Sequence, residues 1–493
     1  MTKQKKGIQK FLSSKKHFPV LAALASGLYP VFFYFTNNYT IVNTWGHVGY
    51  FVLNFLFIPV VVFVLFNKLF SLAPLKKWQK YVLPFLNLFS FSFFMTVCYY
   101  AGFHYKWIAM VFIGSVVYAI FFNKLYKKIV VFQLLLAIIG LVTLVPRLVK
   151  LSNYSYEWIQ QPDSIEEVIF KKRPNIYFIQ PDGYANFSEL KNKNYNVDYS
   201  ELENFLKKEN FKYYNDFRSN YASTLSSNSA TFMMKHHHYN NGTSFSEALN
   251  ARNIIISDNT VLSIFKNNDY KTYFVTELPY LLLNKPNIGY DTSNFTLDDV
   301  SYIGTGLGEP QDIIEPLSSY ISEKITQPKF FFIEIFNPGH IHGRKVDSEG
   351  IEGERKLWAE NLDIANSILF KTITAIKEKD PNALIVIMAD HGGFVGLEYT
   401  GQIYSKTQDR DIIYSIFTST LAIHWPENKA PNFDGEFKSA VNVFRILFSY
   451  LGEDESYLQN LQPNESFVIL KNEKPEGVYK YIDDSGKITL KKQ

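Results

Sequence analysis

Residues 383–393 read ALIVIMADHGG. The run begins apolar and β-branched, as a buried strand does, then delivers an acid, an imidazole and two glycines without a spacer. A strand that merely stops needs Asp or Asn before Gly, with the Asp capping the turn. It does not need the histidine. An open α/β sheet takes its ligands just beyond the carboxyl ends of its strands, and an Asp-His pair there suits that use. Glycine tolerates positive φ, so Gly392 and Gly393 are expected to bend the chain until Asp390 and His391 face one point.

The surrounding chain has 493 residues, enough for two or three domains. It divides sharply near Pro146. Before it, five apolar stretches (18–35, 48–66, 81–102, 107–122 and 129–145) follow one another between short polar loops. About 20 residues cross a bilayer, and the fourth stretch is the shortest. Lysine is dense before the first stretch (MTKQKKGIQKFLSSKK), at Lys68, Lys76, Lys77 and Lys80, and in NKLYKK, whereas NNYTIVNTWGH has no Lys or Arg. Basic loops stay in the cytoplasm, so the N-terminus is expected inside and, after five crossings, the remainder outside. The expectation is a multi-pass protein of a bacterial cell membrane, with residues 1–146 transmembrane, 147–172 a linker and 173–493 an extracytoplasmic domain. No cleavable signal peptide is expected.

Charge is close to balanced, 50 Lys plus Arg against 46 Asp plus Glu, and the net +4 gives no case for nucleic acid. A single cysteine, Cys98, excludes an intramolecular disulfide and a CxxC zinc site.

Beyond residue 173, β-rich runs at 175–180, 271–277, 329–336, 383–389 and 421–425 alternate with helix-like stretches at 200–209, 246–251, 316–323, 355–379 and 439–450. That alternation predicts a mainly parallel sheet with helices on both faces. Asp182, His340, His342, Asp390 and His391 then all fall at or just past strand ends. Carboxylates and imidazoles at one sheet edge suit a divalent metal, although a turn aspartate before glycine would also account for Asp182 alone. RSNYASTLSSNSATFMM (218–234) brings a hydroxyl-rich run into a helical pattern, where a metal-bound hydroxyl would become nucleophilic. Ser223, Thr224, Ser226 and Ser227 are all open to that role. His236, His237 and His238 are expected on a surface, and GTGLG (304–308) lacks the strand and helix of a nucleotide fingerprint.

PDGY, SNYASTLSS, NPGHIHG and ADHGG behind five membrane segments resemble the sulfatase-like branch of the alkaline phosphatase superfamily. Its membrane-anchored lipoteichoic acid synthases and phosphoethanolamine transferases are the nearest match. The resemblance implies one divalent ion (Mn²⁺, Mg²⁺ or Zn²⁺) on Asp182, Thr224, Asp390 and His391, with Thr224 as nucleophile and His340 or His342 on the phosphoryl group. It implies transfer of a phospholipid head-group phosphate to an envelope glycan or lipid at the bilayer, or hydrolysis on the same site. TLSSN lacks the Pro and Arg of the sulfatase C/S-x-P-x-R motif, which points away from sulfate esters.

Overall fold

A computed structural model describes residues 2–152, 155–239, 248–472 and 474–493. The chain forms two compact units, residues 1–153 with segments 283–285 and 300–306, and residues 154–282, 286–299 and 307–493.

In the first unit, helices Pro19–Asn37, Trp45–Leu69, Lys76–Tyr100 and Asn123–Val149 are long and apolar enough to cross a membrane. The sequence reading expected five such helices. Its fourth stretch forms Tyr105–Phe121, 17 residues, or about 25 Å at 1.5 Å per residue against a hydrocarbon core of about 30 Å. Only four therefore reach spanning length among the described residues. Polar atoms knit three helices together: Asn87 Nδ2–H donates to Ala22 O and to Gln133 Oε1, each at 2.8 Å. Such bonds between helices count where no water competes. The last helix runs through Pro146 to Ser152, past the expected end of the span at 145.

Among the described residues the second unit holds ten strands: β1 Ile176–Pro181, β2 Lys212–Tyr213, β3 Lys271–Thr276, β4 Thr292–Ser293, β5 Lys329–Ile335, β6 Leu384–Met388, β7 Leu421–His424, β8 Ser466–Leu470, β9 Gly477–Ile482 and β10 Ile488–Lys492. The first seven make one sheet in the order β2-β7-β6-β1-β5-β3-β4, and the last three make a small antiparallel sheet. The large sheet is mixed. β6, β1, β5, β3 and β4 run parallel, while β7 pairs antiparallel with β6 and β2 with β7. After β6 the chain stays at the same edge, where Ala389 N–H bonds Thr420 O at 3.1 Å, and so enters β7 from that end.

Alternation along the central strands sorts the core onto two faces. Tyr177, Ile179, Phe331, Ile333, Ile385 and Ile387 join one apolar cluster with Trp358, Leu362 and Leu369 of helix Gly350–Lys379. Phe178, Phe274 and Phe332 lie on the other, where Phe178 meets Phe232 of helix Thr224–Met233 and Phe444 of helix Val443–Gly452. Each fully buried side chain of this kind contributes roughly 1.5–3 kcal/mol.

The predicted stretches at 200–209, 316–323, 355–379 and 439–450 correspond to Ser200–Lys208, Ile314–Ser322, Gly350–Lys379 and Val443–Gly452. The stretch at 246–251 falls partly outside the described residues, and the helix next to it is Ala251–Ile256.

Candidate active site

The carboxyl ends of β1 and β6 lie side by side, and everything chemical is built across them. Asp182 follows β1 directly. Its N–H donates to Ile335 O at 2.8 Å, and its carbonyl accepts from Gly339 N–H at 2.9 Å, which binds the histidine-bearing loop to the end of β1. Gly183 sits at φ +63°, and a Cβ there would lie 2.1 Å from Gly339 O, so no other residue fits.

Asp390 is fully buried and held from one side. Its Oδ1 accepts from Gly183 N–H at 3.1 Å and from His391 N–H at 3.0 Å. His391 Nδ1 lies 2.8 Å from Gly392 O. That contact assigns the ring proton to Nδ1 and leaves Nε2 as an acceptor. Nε2 is 3.3 Å from Asp390 Oδ2, 3.5 Å from Asp182 Oδ1 and 3.3 Å from the Thr224 hydroxyl.

Gly392 and Gly393 do not act as the sequence suggested. Neither has positive φ; the left-handed residue is Phe394, at φ +60°. The glycines serve close approach instead. A Cβ on Gly392 would lie 2.1 Å from Ser415 O, and one on Gly393 2.1 Å from Trp358 Nε1. Phe394, forced into a conformation that costs an L-residue roughly 1–2 kcal/mol, stacks its ring on His391 at 5.1 Å and on His340 at 5.5 Å.

Thr224 is the first residue of its helix and is half-buried. Ser223 is the N-cap, its side chain accepting from Ser226 N–H, and the buried Ser226 hydroxyl accepts from Ala248 N–H at 3.0 Å. Ser227 is buried. Of the four hydroxyls left open by the sequence, the structure brings Thr224 to His391.

The two loop histidines separate. His340 has its ring 6.0 Å from that of His391. His342 instead binds Glu354: its Nδ1 is 2.9 Å from Oε1 and its backbone N–H donates to Oε2 at 2.8 Å. Glu354 is buried while the His342 side chain is 41% exposed. His340 is the one beside the acidic pair.

Asp182, Asp390 and His391 each offer a ligand atom, all within 4.8 Å of one another. Burial first, then the charges of Asp390 and Glu334, push the Asp182 carboxyl well above its usual range, with the Thr224 hydroxyl acting in the opposite sense. Asp182 Oδ1 and Asp390 Oδ2 are buried without a hydrogen-bond partner. Two orphaned acid oxygens and an imidazole lone pair crowded together are costly without a cation between them. The residues fit a divalent metal, and the oxygen-rich set with one nitrogen suits Mn²⁺, Mg²⁺ or Zn²⁺ alike.

Sequence reasoning missed several residues. Glu354 and Trp358, whose indole N–H donates to Gly339 O at 3.0 Å, lie on a helix with no motif, and Phe394 directly follows the ADHGG string. Tyr195, whose hydroxyl accepts from Gly393 N–H at 3.0 Å, belongs to a loop. Expected on a surface, His236 and His237 are buried, His237 stacked on Tyr221 at 4.0 Å with its Nε2 2.9 Å from Ser226 O. Tyr221 lies three residues before Thr224, and the burial of His236 and His237 backs that turn, while His238 is exposed as expected.

Comparison with known proteins gives no matching family model and no curated relative. Among solved structures, the chain is similar to the C-terminal periplasmic domain of EcEptC from Escherichia coli, at 13% identity over 63% of this chain and 93% of that one, TM-score 0.41. It is also similar to the C-terminal periplasmic domain of phosphoethanolamine transferase EptC from Campylobacter jejuni (13%, 60% and 93%, TM-score 0.38). The lipoteichoic acid synthase LtaP from Listeria monocytogenes matches at 14% identity over 66% and 91%, TM-score 0.41. The chain resembles these proteins.

Proposed function

We propose that the protein is a metal-dependent phosphotransferase that moves the phosphate-bearing head group of a membrane phospholipid onto a hydroxyl of an envelope glycan or lipid. One observation carries the reading: the Thr224 hydroxyl stands 3.3 Å from His391 Nε2, beside two acid oxygens that have no partner. Asp182, Thr224, Asp390 and His391 would hold the divalent ion. When bound, the ion neutralises charge on the phosphoryl oxygens and lowers the pKa of the threonine hydroxyl.

The chain's residues do the rest. Thr224 Oγ1 attacks phosphorus; the new O–P bond forms as the bond to the diacylglycerol oxygen breaks, and the threonine proton ends on that oxygen. An acceptor hydroxyl then attacks the same phosphorus, and Thr224 leaves with the acceptor's proton. The helix N-terminus at Thr224 favours the anionic group. His340, on the rim beside His391, contacts a phosphoryl oxygen. His342 holds the loop through Glu354.

The apolar helices of the first unit would tether the chain to the bilayer that holds such a donor. The reading includes Tyr105–Phe121 as a fifth crossing. Its basic exit, Lys124, Lys127 and Lys128, supports this by the same charge rule as the other loops. Five crossings put the catalytic unit outside with the N-terminus in the cytoplasm.

The test is transfer of label. Purified full-length protein is incubated with Mn²⁺, an envelope extract and phosphatidylglycerol or phosphatidylethanolamine labelled in the head group. Label in a glycan or lipid acceptor is expected, and Thr224→Ala should abolish it while weakening metal binding. Release of free head-group phosphate alone would make the protein a hydrolase. Undiminished transfer by Thr224→Ala would overturn the assignment.

A further inference from the structure

We propose that Gln180 and Asn228 are positioning residues that set the distance between the Thr224 hydroxyl and the Asp182 carboxylate, an inference that rests on the roles given to those two groups above. Gln180 Nε2–H donates to Asn228 Oδ1, and Asn228 Nδ2–H donates to Gln180 Oε1, each at 2.7 Å. Both side chains are buried. Two amides facing each other in this way fix distance, angle and sliding at once, because both bonds weaken together if either element shifts.

Their places in the chain give the pair its meaning. Gln180 lies two residues before Asp182, on the same side of the extended backbone. Asn228 lies four residues after Thr224, one turn further along the same helix face. The amide pair is therefore the second rung of a ladder whose first rung is Thr224 beside Asp182. The next contact down is apolar, Phe178 against Phe232 at 6.1 Å between ring centres, and apolar contacts are non-directional. The neighbouring Glu334 carboxyl, paired in register with Gln180, is turned instead to the Thr276 hydroxyl at 3.0 Å. Stability alone does not call for amides here, since two apolar side chains of the same shape can be nearly as stable. What the pair adds is register between the nucleophile's helix and the ligand's strand.

Three quantities are measured on the full-length protein: melting temperature, Mn²⁺ affinity by calorimetric titration, and turnover of bis(p-nitrophenyl) phosphate with Mn²⁺. The double variant Gln180→Met/Asn228→Leu keeps shape and removes both amides. It should melt close to the wild type yet bind Mn²⁺ and turn over roughly 10- to 100-fold more weakly, with KM unchanged. Should that variant fail to fold, Asn228→Gln alone lengthens the pair by one methylene. It should show the same losses, recovered when Gln180→Asn restores the combined length. A folded variant of either kind with wild-type Mn²⁺ affinity and turnover would overturn the inference. A wild-type protein that neither binds Mn²⁺ nor turns over would overturn the functional reading itself, and this inference with it.

Discussion

Asp390 shows how one side chain can be held and offered at once. Two backbone N–H groups take one oxygen, so the other is fixed in direction without being satisfied. The Asp-His-Gly-Gly string was legible because its residue types are rare together at a strand end. The use of its glycines was not, since a sequence reports tolerance of positive φ but not which neighbour comes close. Trp358, which occupies the space over Gly393, lies 35 residues earlier on a helix that reads as ordinary. Gly393→Ala is expected to push the indole off Gly339 O, with a loss of about 1–3 kcal/mol in stability. Turnover should fall further than stability does, because the displaced loop carries His340. Thermal unfolding and steady-state kinetics on the same preparation check both. A variant with wild-type melting and turnover would show that the approach is relaxed at no cost.

At the scale of elements, the five strands that carry the sheet's centre were legible from their β-branched and aromatic runs. Two-residue strands such as β2 and β4 have no pattern to find, and the β8–β10 sheet was missed because its alternation is interrupted by turns and lysines. The histidine tract was misjudged at two of its three positions for a different reason: consecutive histidines look polar, yet burial next to Tyr221 keeps His236 and His237 neutral while His238 is exposed. Desolvation lowers His236 and His237 from an ordinary 6.5 to about 3. An unfolded chain therefore takes up protons between those values that the folded one refuses. By linkage, the contribution of these residues is complete above pH 6.5 and declines as pH falls towards 3. The second unit should lose melting temperature steadily as pH drops below about 6.5, and His236→Gln/His237→Gln should flatten that slope. An unchanged slope in the double variant would place the acid sensitivity elsewhere.

For the whole molecule, the sequence made the division into an apolar first part and a mixed second part plain, because composition changes abruptly near residue 146. The number of crossings was harder, since 17 residues stand at the margin of what spans a bilayer. Parity decides the side on which the second unit lies. Alkaline phosphatase fused after residue 493 should be active in intact cells, and the same reporter fused after residue 70 should be inactive. An inactive C-terminal fusion would reduce the crossings to four and refute export.

The candidate ligands also have an order in time. They stand at 182, 224, 390 and 391 in a chain that emerges from its N-terminus, and β6, which leads into the last two, gains its neighbour β7 only at 421–424. On the proposed orientation, more than four fifths of the chain must have been made, and its part beyond the membrane segments exported as far as β7, before all four ligands stand in a finished sheet. The cytoplasm's metal supply and its metallochaperones are then out of reach. On the proposed reading the ion is taken from the cell's surroundings, and activity should follow the metal content of the medium.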